Sequence, residues 1–195
     1  MWENLDLDAI DQELRWAHDV GFSKLRVFLH ISPFIQNSTQ YLKQIFSFLA
    51  VAKSRGHHVI PVLFDDCWNG NWADGKQPEP IPGLHNSQWV QCPGNVKFDD
   101  ATVKNYVVSI IGTFKDNDAI AFWDLYNEVG NSGKTINSLP FCIKVFEWAR
   151  LAEPSQPITS GWWNGDIAFD LINEFIFKES DIITFHAYCN TSCTQ

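Results

Sequence analysis

The sequence predicts an α/β fold built on a parallel sheet, and three observations carry that expectation. Short apolar segments rich in β-branched and aromatic residues alternate with amphipathic segments of helical period. Each short segment ends in a cluster of polar or aromatic residues. A composition of 45% hydrophobic and 14% aromatic residues over 195 positions provides for one globular domain with ample core.

Leu5 to Val20 carries apolar residues at Leu7, Ile10, Leu14 and Ala17 or Val20, a helical stripe closed by Gly21. Lys24 to Leu29 (KLRVFL) is the first expected strand, and Ser38 to Arg55 a second amphipathic helix stopped by Gly56. His58 to Phe64 is the second strand, with Pro61 removing one ladder donor. The Pro- and Gly-rich stretch Asn69–Asp99 is longer than an ordinary connection, which marks it as functional or mobile. A helix over Asp100–Lys115 follows, then a strand from Ile120 to Leu125 that runs into Tyr126-Asn127-Glu128. Leu139–Ala152 is a helix, Pro157–Gly161 a short strand, Ala168–Phe177 a helix and Asp181–Phe185 a fifth strand.

Strand–helix–strand alternation implies parallel pairing through right-handed crossovers. No Gly-rich phosphate loop follows a strand, so a nucleotide fold has no support and no cofactor is expected. His57-His58 has no third ligand in view, and Cys67, Cys92, Cys142, Cys189 and Cys193 lack paired zinc spacing. Cys189 and Cys193 are spaced to close a small loop, and the odd total leaves at least one thiol without an internal bridge. The net charge of −9, with no basic run, argues against nucleic acid and anionic membranes as partners. No stretch is long and apolar enough to span a bilayer, and the N-terminal MWENLDLD lacks signal-peptide character.

The strand ends select a barrel over an open sheet. Arg26 and His30 flank the end of the first strand, Asp65-Asp66-Cys67-Trp68 end the second and Asn127-Glu128 the third. Trp162-Trp163-Asn164 follow the fourth and His186-Ala187-Tyr188 the fifth. A (β/α)8 barrel brings all such ends to one mouth, whereas an open sheet spreads them along an edge. Carboxylates, amides and indoles converging there suit a sugar: indole faces stack on pyranose C–H faces while polar groups bond the hydroxyls. Trp68, Trp72, Trp89, Trp162 and Trp163 stand beside turn formers and are assigned to sugar contact; Trp16, Trp123 and Trp148 are assigned to the core. Arg26 has two readings at this point, a ligand-orienting group or the partner of a buried carboxylate.

On these residues the chain resembles the clan A glycoside hydrolases, most closely the family 5 cellulase-type enzymes. The matching features are Arg26 in LRVFL, Asp65-Asp66-Cys67-Trp68, WDLYNE ending in Glu128, and His186-Ala187-Tyr188 as the His-x-Tyr of the family's sixth barrel strand. The resemblance implies Glu128 as general acid/base and Asn127 as the group holding the sugar 2-hydroxyl. It implies that Arg26, His186 and Tyr188 orient the reacting groups, with Asp65, Asp66, Trp68, Trp162 and Trp163 at the substrate. Carbohydrate is the implied partner and an extracellular setting the implied location. Val129 stands where the family usually has Pro, and Cys67 lies near a usual His.

Laid on the family's eight strands, the sequence runs from the second to the sixth. The fold expected is therefore a partial (β/α)8 TIM barrel, a curved parallel sheet of about five strands with helices on its outer face, forming a single incomplete domain over residues 1–195. The family's nucleophilic Glu lies on the seventh strand, and no Glu follows Glu179 here. Such barrels typically need about 250 residues. Asp65 and Asp66 lie on a neighbouring strand and meet poorly the demand that a nucleophile face the opposite side of the ring; bonding Arg26 or a sugar hydroxyl is the role expected of them. Two function classes follow: a retaining endo-type β-glycosidase with little turnover from these residues alone, or a non-catalytic barrel fragment that binds carbohydrate or a partner chain. The strands Lys24–Leu29 and Asp181–Phe185 are expected to leave open edges that favour self-association. Because strand side chains alternate, Asn127 and Glu128 can share a site only if the strand end twists or bulges.

Overall fold

The computed structural model describes residues 1–2, 4–67, 98–131, 133 and 135–187. Trp68 and Tyr188, together with Trp72 and Trp89, lie outside these residues. Helix α1 (Leu7–Asp19) starts where Asp6 accepts a hydrogen bond from the Ala9 N–H at 3.0 Å, satisfying a donor that the helix cannot. It buries Ile10 and Leu14 and stops at Gly21, whose φ of +91° favours glycine. Trp16, expected in the core, is instead 61% exposed. It follows Leu14 by two residues, about 200° around the helix, and so faces away from the buried stripe.

Four parallel strands, β1 (Lys24–Phe28), β2 (His58–Asp65), β3 (Trp123–Asn127) and β4 (Ile158–Thr159), pair in that order. Pro61 is accommodated in β2 opposite Val27, and its effect falls on the other neighbour. The Val59 N–H donates to Ala119 O and the Val59 carbonyl accepts from Ala121 N–H. Pro61 comes next in that alternation and has no N–H to offer the Ala121 carbonyl. Accordingly Ile120 makes only a lone bridge with Val59, and regular pairing with β2 resumes at Asp124, opposite Val62. The strand expected from Ile120 thus starts three residues later and runs on to Asn127.

Helix α2 (Ile31–Ser54) is longer at its start than the amphipathic pattern showed. Asn37 breaks the helical backbone, and its side chain accepts from Gln40 N–H at 3.0 Å, capping the segment read from sequence. The extra turns before it are capped by His30, with Pro33 near the start where its missing N–H costs nothing. Their sequence signal is weak because buried Ile31 and Phe34, not periodicity, hold them. Helices α3 (Asp100–Phe114), α4 (Thr135–Leu151) and α5 (Asp170–Glu179, preceded by a 3₁₀ turn at Ile167–Phe169) complete the described chain. Helix α4 begins a turn earlier than expected and runs through Pro140.

The core lies between the sheet and the helices. Trp123, Tyr106, Ile110, Ile111, Leu63, Leu125 and Ile158 are fully enclosed, and Phe64, Tyr106, Tyr126 and Phe141 meet edge to face. The outer edge of β1 is partly covered: Trp2 is buried and its indole N–H donates to Phe28 O at 2.9 Å. The fifth expected strand, Asp181–Phe185, pairs less than foreseen, through one parallel bridge between Trp162 and Phe185. Side chains add to the few backbone bonds there: Thr159 Oγ1 donates to Ile182 O at 2.8 Å, and the Asp181 carboxylate accepts from Ile158 N–H at 2.8 Å. No helix among the described residues is long and apolar enough to cross a membrane, and no described cluster of three or more His, Cys, Asp or Glu is arranged to hold a metal ion.

Candidate active site

The C-terminal ends of β1, β2 and β3 bring Arg26, Asp65, Asn127 and Glu128 into one network, and the segment after α5 adds His186. Arg26 donates from Nε and Nη2 to Asp124 Oδ2 at 3.0 and 2.5 Å, and from Nη2 to Asn127 Oδ1 at 2.7 Å. Its guanidinium also lies 5.1 Å from the centre of the Phe28 ring. Asp124 is buried, so the reading of Arg26 as partner to a buried carboxylate describes its observed bonds. Asp124 itself escaped sequence reading; a lone acid inside the aromatic run WDLY is the signal that pointed to it, because a buried charge needs a partner.

Asn127 is held at both ends of its amide, since its Nδ2 donates to Asp65 Oδ1 at 2.5 Å while its Oδ1 accepts from Arg26. Asp65 also accepts from the Cys67 N–H at 3.0 Å. Burial lifts the Asp65 carboxyl above its ordinary range; the Asn127 amide and Cys67 N–H pull it back, and the charge of nearby Glu128 pushes it further up. The expectation that an Asp of this pair bonds Arg26 is corrected: Asp124 does so.

Asp66 is likewise corrected. It is completely buried, and its Oδ2 accepts from Gly130 N–H at 2.6 Å and Ser138 Oγ–H at 2.5 Å. Successive residues of a strand face opposite ways, so with Asp65 at the mouth Asp66 turns into the packing and ties down the loop after β3 instead of meeting a ligand. Trp163 works on the same loop: its indole N–H donates to Val129 O at 3.0 Å, and its ring sits edge-on to Phe169. Trp162 is half-buried, leaning on Phe177 with its backbone paired to the Thr184–His186 segment.

Glu128 is 4% exposed. Its Oε2 accepts from Asn131 Nδ2 at 2.6 Å and its Oε1 lies 2.7 Å from His186 Nδ1. Asn131 was readable only as a turn residue, since three-residue spacing in a turn carries no pattern of its own. Glu128 has φ +48°, in the left-handed region that non-glycine residues avoid. The twist expected at this strand end therefore takes the form of a left-handed residue. Alternation slips earlier as well: Asp124 and Asn127, three apart, both reach Arg26, although a regular strand would aim them at opposite faces. The Cys67 thiol is pushed up to about 12, first by burial and then by the neighbouring Glu128 carboxylate.

No protein-family model matches the sequence, and no curated protein matches it. Solved structures do. An endo-1,4-β-mannanase from Eisenia fetida matches with a TM-score of 0.61 at 15% identity, over 97% of this chain and 63% of that one. A GH5_18 protein from Streptomyces cattleya, crystallised with GlcNAc, matches with a TM-score of 0.59 at 14% identity, over 83% and 41%. The Pseudomonas stutzeri endoglucanase Cel5A, crystallised with cellobiose, matches with a TM-score of 0.56 at 12% identity, over 85% and 46%. The likeness is one of fold: the chain is built like part of the (β/α)8 barrel of these proteins. It spans less than two thirds of the length of each of these three proteins.

Proposed function

We propose that this chain carries the acid/base half of a retaining glycoside hydrolase site acting on a β-linked polysaccharide of the mannan or glucan kind. The observation that carries the reading is the arrangement of Glu128: a buried carboxyl at the end of a central barrel strand, bonded on both oxygens, in a backbone conformation that costs stability. Strain of this sort persists where the surrounding structure over-determines it and is concentrated at functional sites. In the proposed reaction Glu128 protonates the leaving glycosidic oxygen, then takes a proton from the water that releases the product. His186 and Asn131 fix the direction of its carboxyl. Asn127, locked between Arg26 and Asp65, presents a fixed amide to a sugar hydroxyl, and Trp162 offers a ring face.

A retaining pair needs a second carboxylate about 5–5.5 Å from the first. Asp65, Asp66 and Asp124 are each engaged in bonds that hold the mouth together, which makes them supports. The nucleophile is assigned, by resemblance, to the family's seventh strand. The 195 residues by themselves are therefore expected to bind sugar more readily than to hydrolyse it. Hydrolysis of an activated aryl glycoside and of natural β-mannan and β-glucan, by this chain and by one extended with the remaining barrel strands, tests the reading. Glu128→Gln in the extended chain should lose roughly 10²–10⁴-fold on the natural polymers and less on the activated glycoside. Equal activity of the two extended chains on the polymers removes Glu128 from the mechanism. Robust Glu128-dependent turnover by the 195-residue chain would instead make Asp65 the first candidate for second carboxylate.

A further inference from the structure

The segment just after β4 bears directly on Glu128 through a residue with no side chain. A Cβ placed on Gly161 would lie 3.1 Å from His186 Nε2 and 3.3 Å from its Cδ2, inside the optimal separation of non-bonded heavy atoms. On its other flank the same ring has Nδ1 2.7 Å from Glu128 Oε1. The imidazole is thus lodged between a bare backbone and a carboxylate. Its place along the chain is also set. The His186 N–H donates to Trp162 O at 2.8 Å, the Trp162 N–H donates to Thr184 O at 3.0 Å, and Thr184 Oγ1 lies 3.1 Å from Thr159 Oγ1. A push from position 161 therefore moves the ring at the expense of its contact with Glu128. Gly161 is not among the glycines with positive φ, so its backbone conformation is open to any residue; what the position requires is space.

We propose that Gly161 is a positioning residue: the room left by its missing side chain seats the His186 imidazole against Glu128 and so fixes the direction in which the carboxyl presents its proton. The proposal rests on the reading of Glu128 as proton donor, but its first test needs no turnover. In the 195-residue chain, Gly161→Ala should shift the ring ¹⁵N resonances of His186, which report the hydrogen bond at Nδ1, and lower the melting temperature. Combined with His186→Ala, which removes the ring, Gly161→Ala should cost no further melting temperature. Gly112→Ala, where a Cβ meets nothing within 4 Å, should leave the His186 resonances in place.

Unchanged His186 resonances in folded Gly161→Ala would overturn the proposal, as would an equal loss of melting temperature with and without the His186 ring. If Gly161→Ala alone does not fold, recovery of folding in the double variant supports the proposal, and failure to recover overturns it. In an extended, active chain Gly161→Ala should lower kcat by roughly 10–100-fold with KM nearly unchanged. An inactive extended wild type would defeat the functional reading while leaving the ¹⁵N result to decide this one.

Discussion

The two halves of the mouth are built differently. The β2–β3 half is a regular ladder: Val62, Phe64 and Asp65 pair with Asp124, Tyr126 and Asn127, and all five residues of β3 are buried. The half that supplies His186 hangs on a two-residue strand and a single bridge, with Ile183 and Phe185 55% and 65% exposed. One half places Arg26, Asp65 and Asn127 through backbone pairing and a closed polar network. The other places His186 through a few backbone bonds, side-chain bonds and the gap at Gly161. Glu128 lies between them, just past the last strand of the rigid half, with its Oε1 beside the lightly held one. The carboxyl's foundation is thus far more secure than its partner.

The largest expected effect would break the rigid half. Arg26→Leu leaves Asp124 buried without its cation, and loss of one member of such a pair costs about 3–5 kcal/mol. Urea titration should show that loss, and Asp124→Leu added to it should restore much of it. A double variant no more stable than Arg26→Leu would mean that the pair is not what fixes this half.

The second effect concerns the start of α2, which His30 caps. Burial holds His30 down to about 4, while an unfolded histidine sits near 6.5. The unfolded chain binds more protons between these values, so stability is full above about 6.5 and falls as pH drops toward 4. The loss at the low end should be about 3 kcal/mol. His30→Gln, followed by melting across that window, should flatten the dependence. An unchanged slope would assign the acid sensitivity to other groups.

A smaller change should separate the halves. Thr159→Val removes the hydroxyl that bonds Ile182 O and Thr184, worth about 1 kcal/mol. Hydrogen exchange should quicken over residues 181–187 and stay unchanged in β2 and β3. Exchange rising equally in both would show the two halves to be one cooperative unit. Smallest is the strain at Glu128: Glu128→Gly should be more stable than Glu128→Ala by about 1 kcal/mol, because glycine alone takes positive φ freely. The reverse order would contradict a left-handed backbone at that residue.

The same division explains how much was legible in the sequence. Periodicity and Gly stops located the helices within a few residues, save the start of α2, which lies at Ile31 and not Ser38, and the polar strand ends foretold that Arg26, Asp65, Asn127, Glu128 and His186 would lie together. What stayed hidden depended on partners distant in the chain. Pro61 was visible as a missing donor, but that its effect would fall at Ala121 depended on which neighbour its N–H position faced. Asp66 and Trp163 were read by residue type, and their actual bonds to Gly130, Ser138 and Val129 depend on which way each side chain turns. Asp181–Phe185 had the composition of a strand, but composition does not report that its neighbour β4 offers only two residues.

Titrating the ¹⁵N-labelled 195-residue chain with manno- and cello-oligosaccharides tests whether this mouth is a carbohydrate site organised around Glu128. Resonance changes are expected at Asn127, Glu128, Trp162 and His186, weakened by Asn127→Ala, with the apolar core undisturbed. Saturating oligosaccharide that leaves the mouth resonances in place, or shifts only residues on the outer helices, would contradict that assignment.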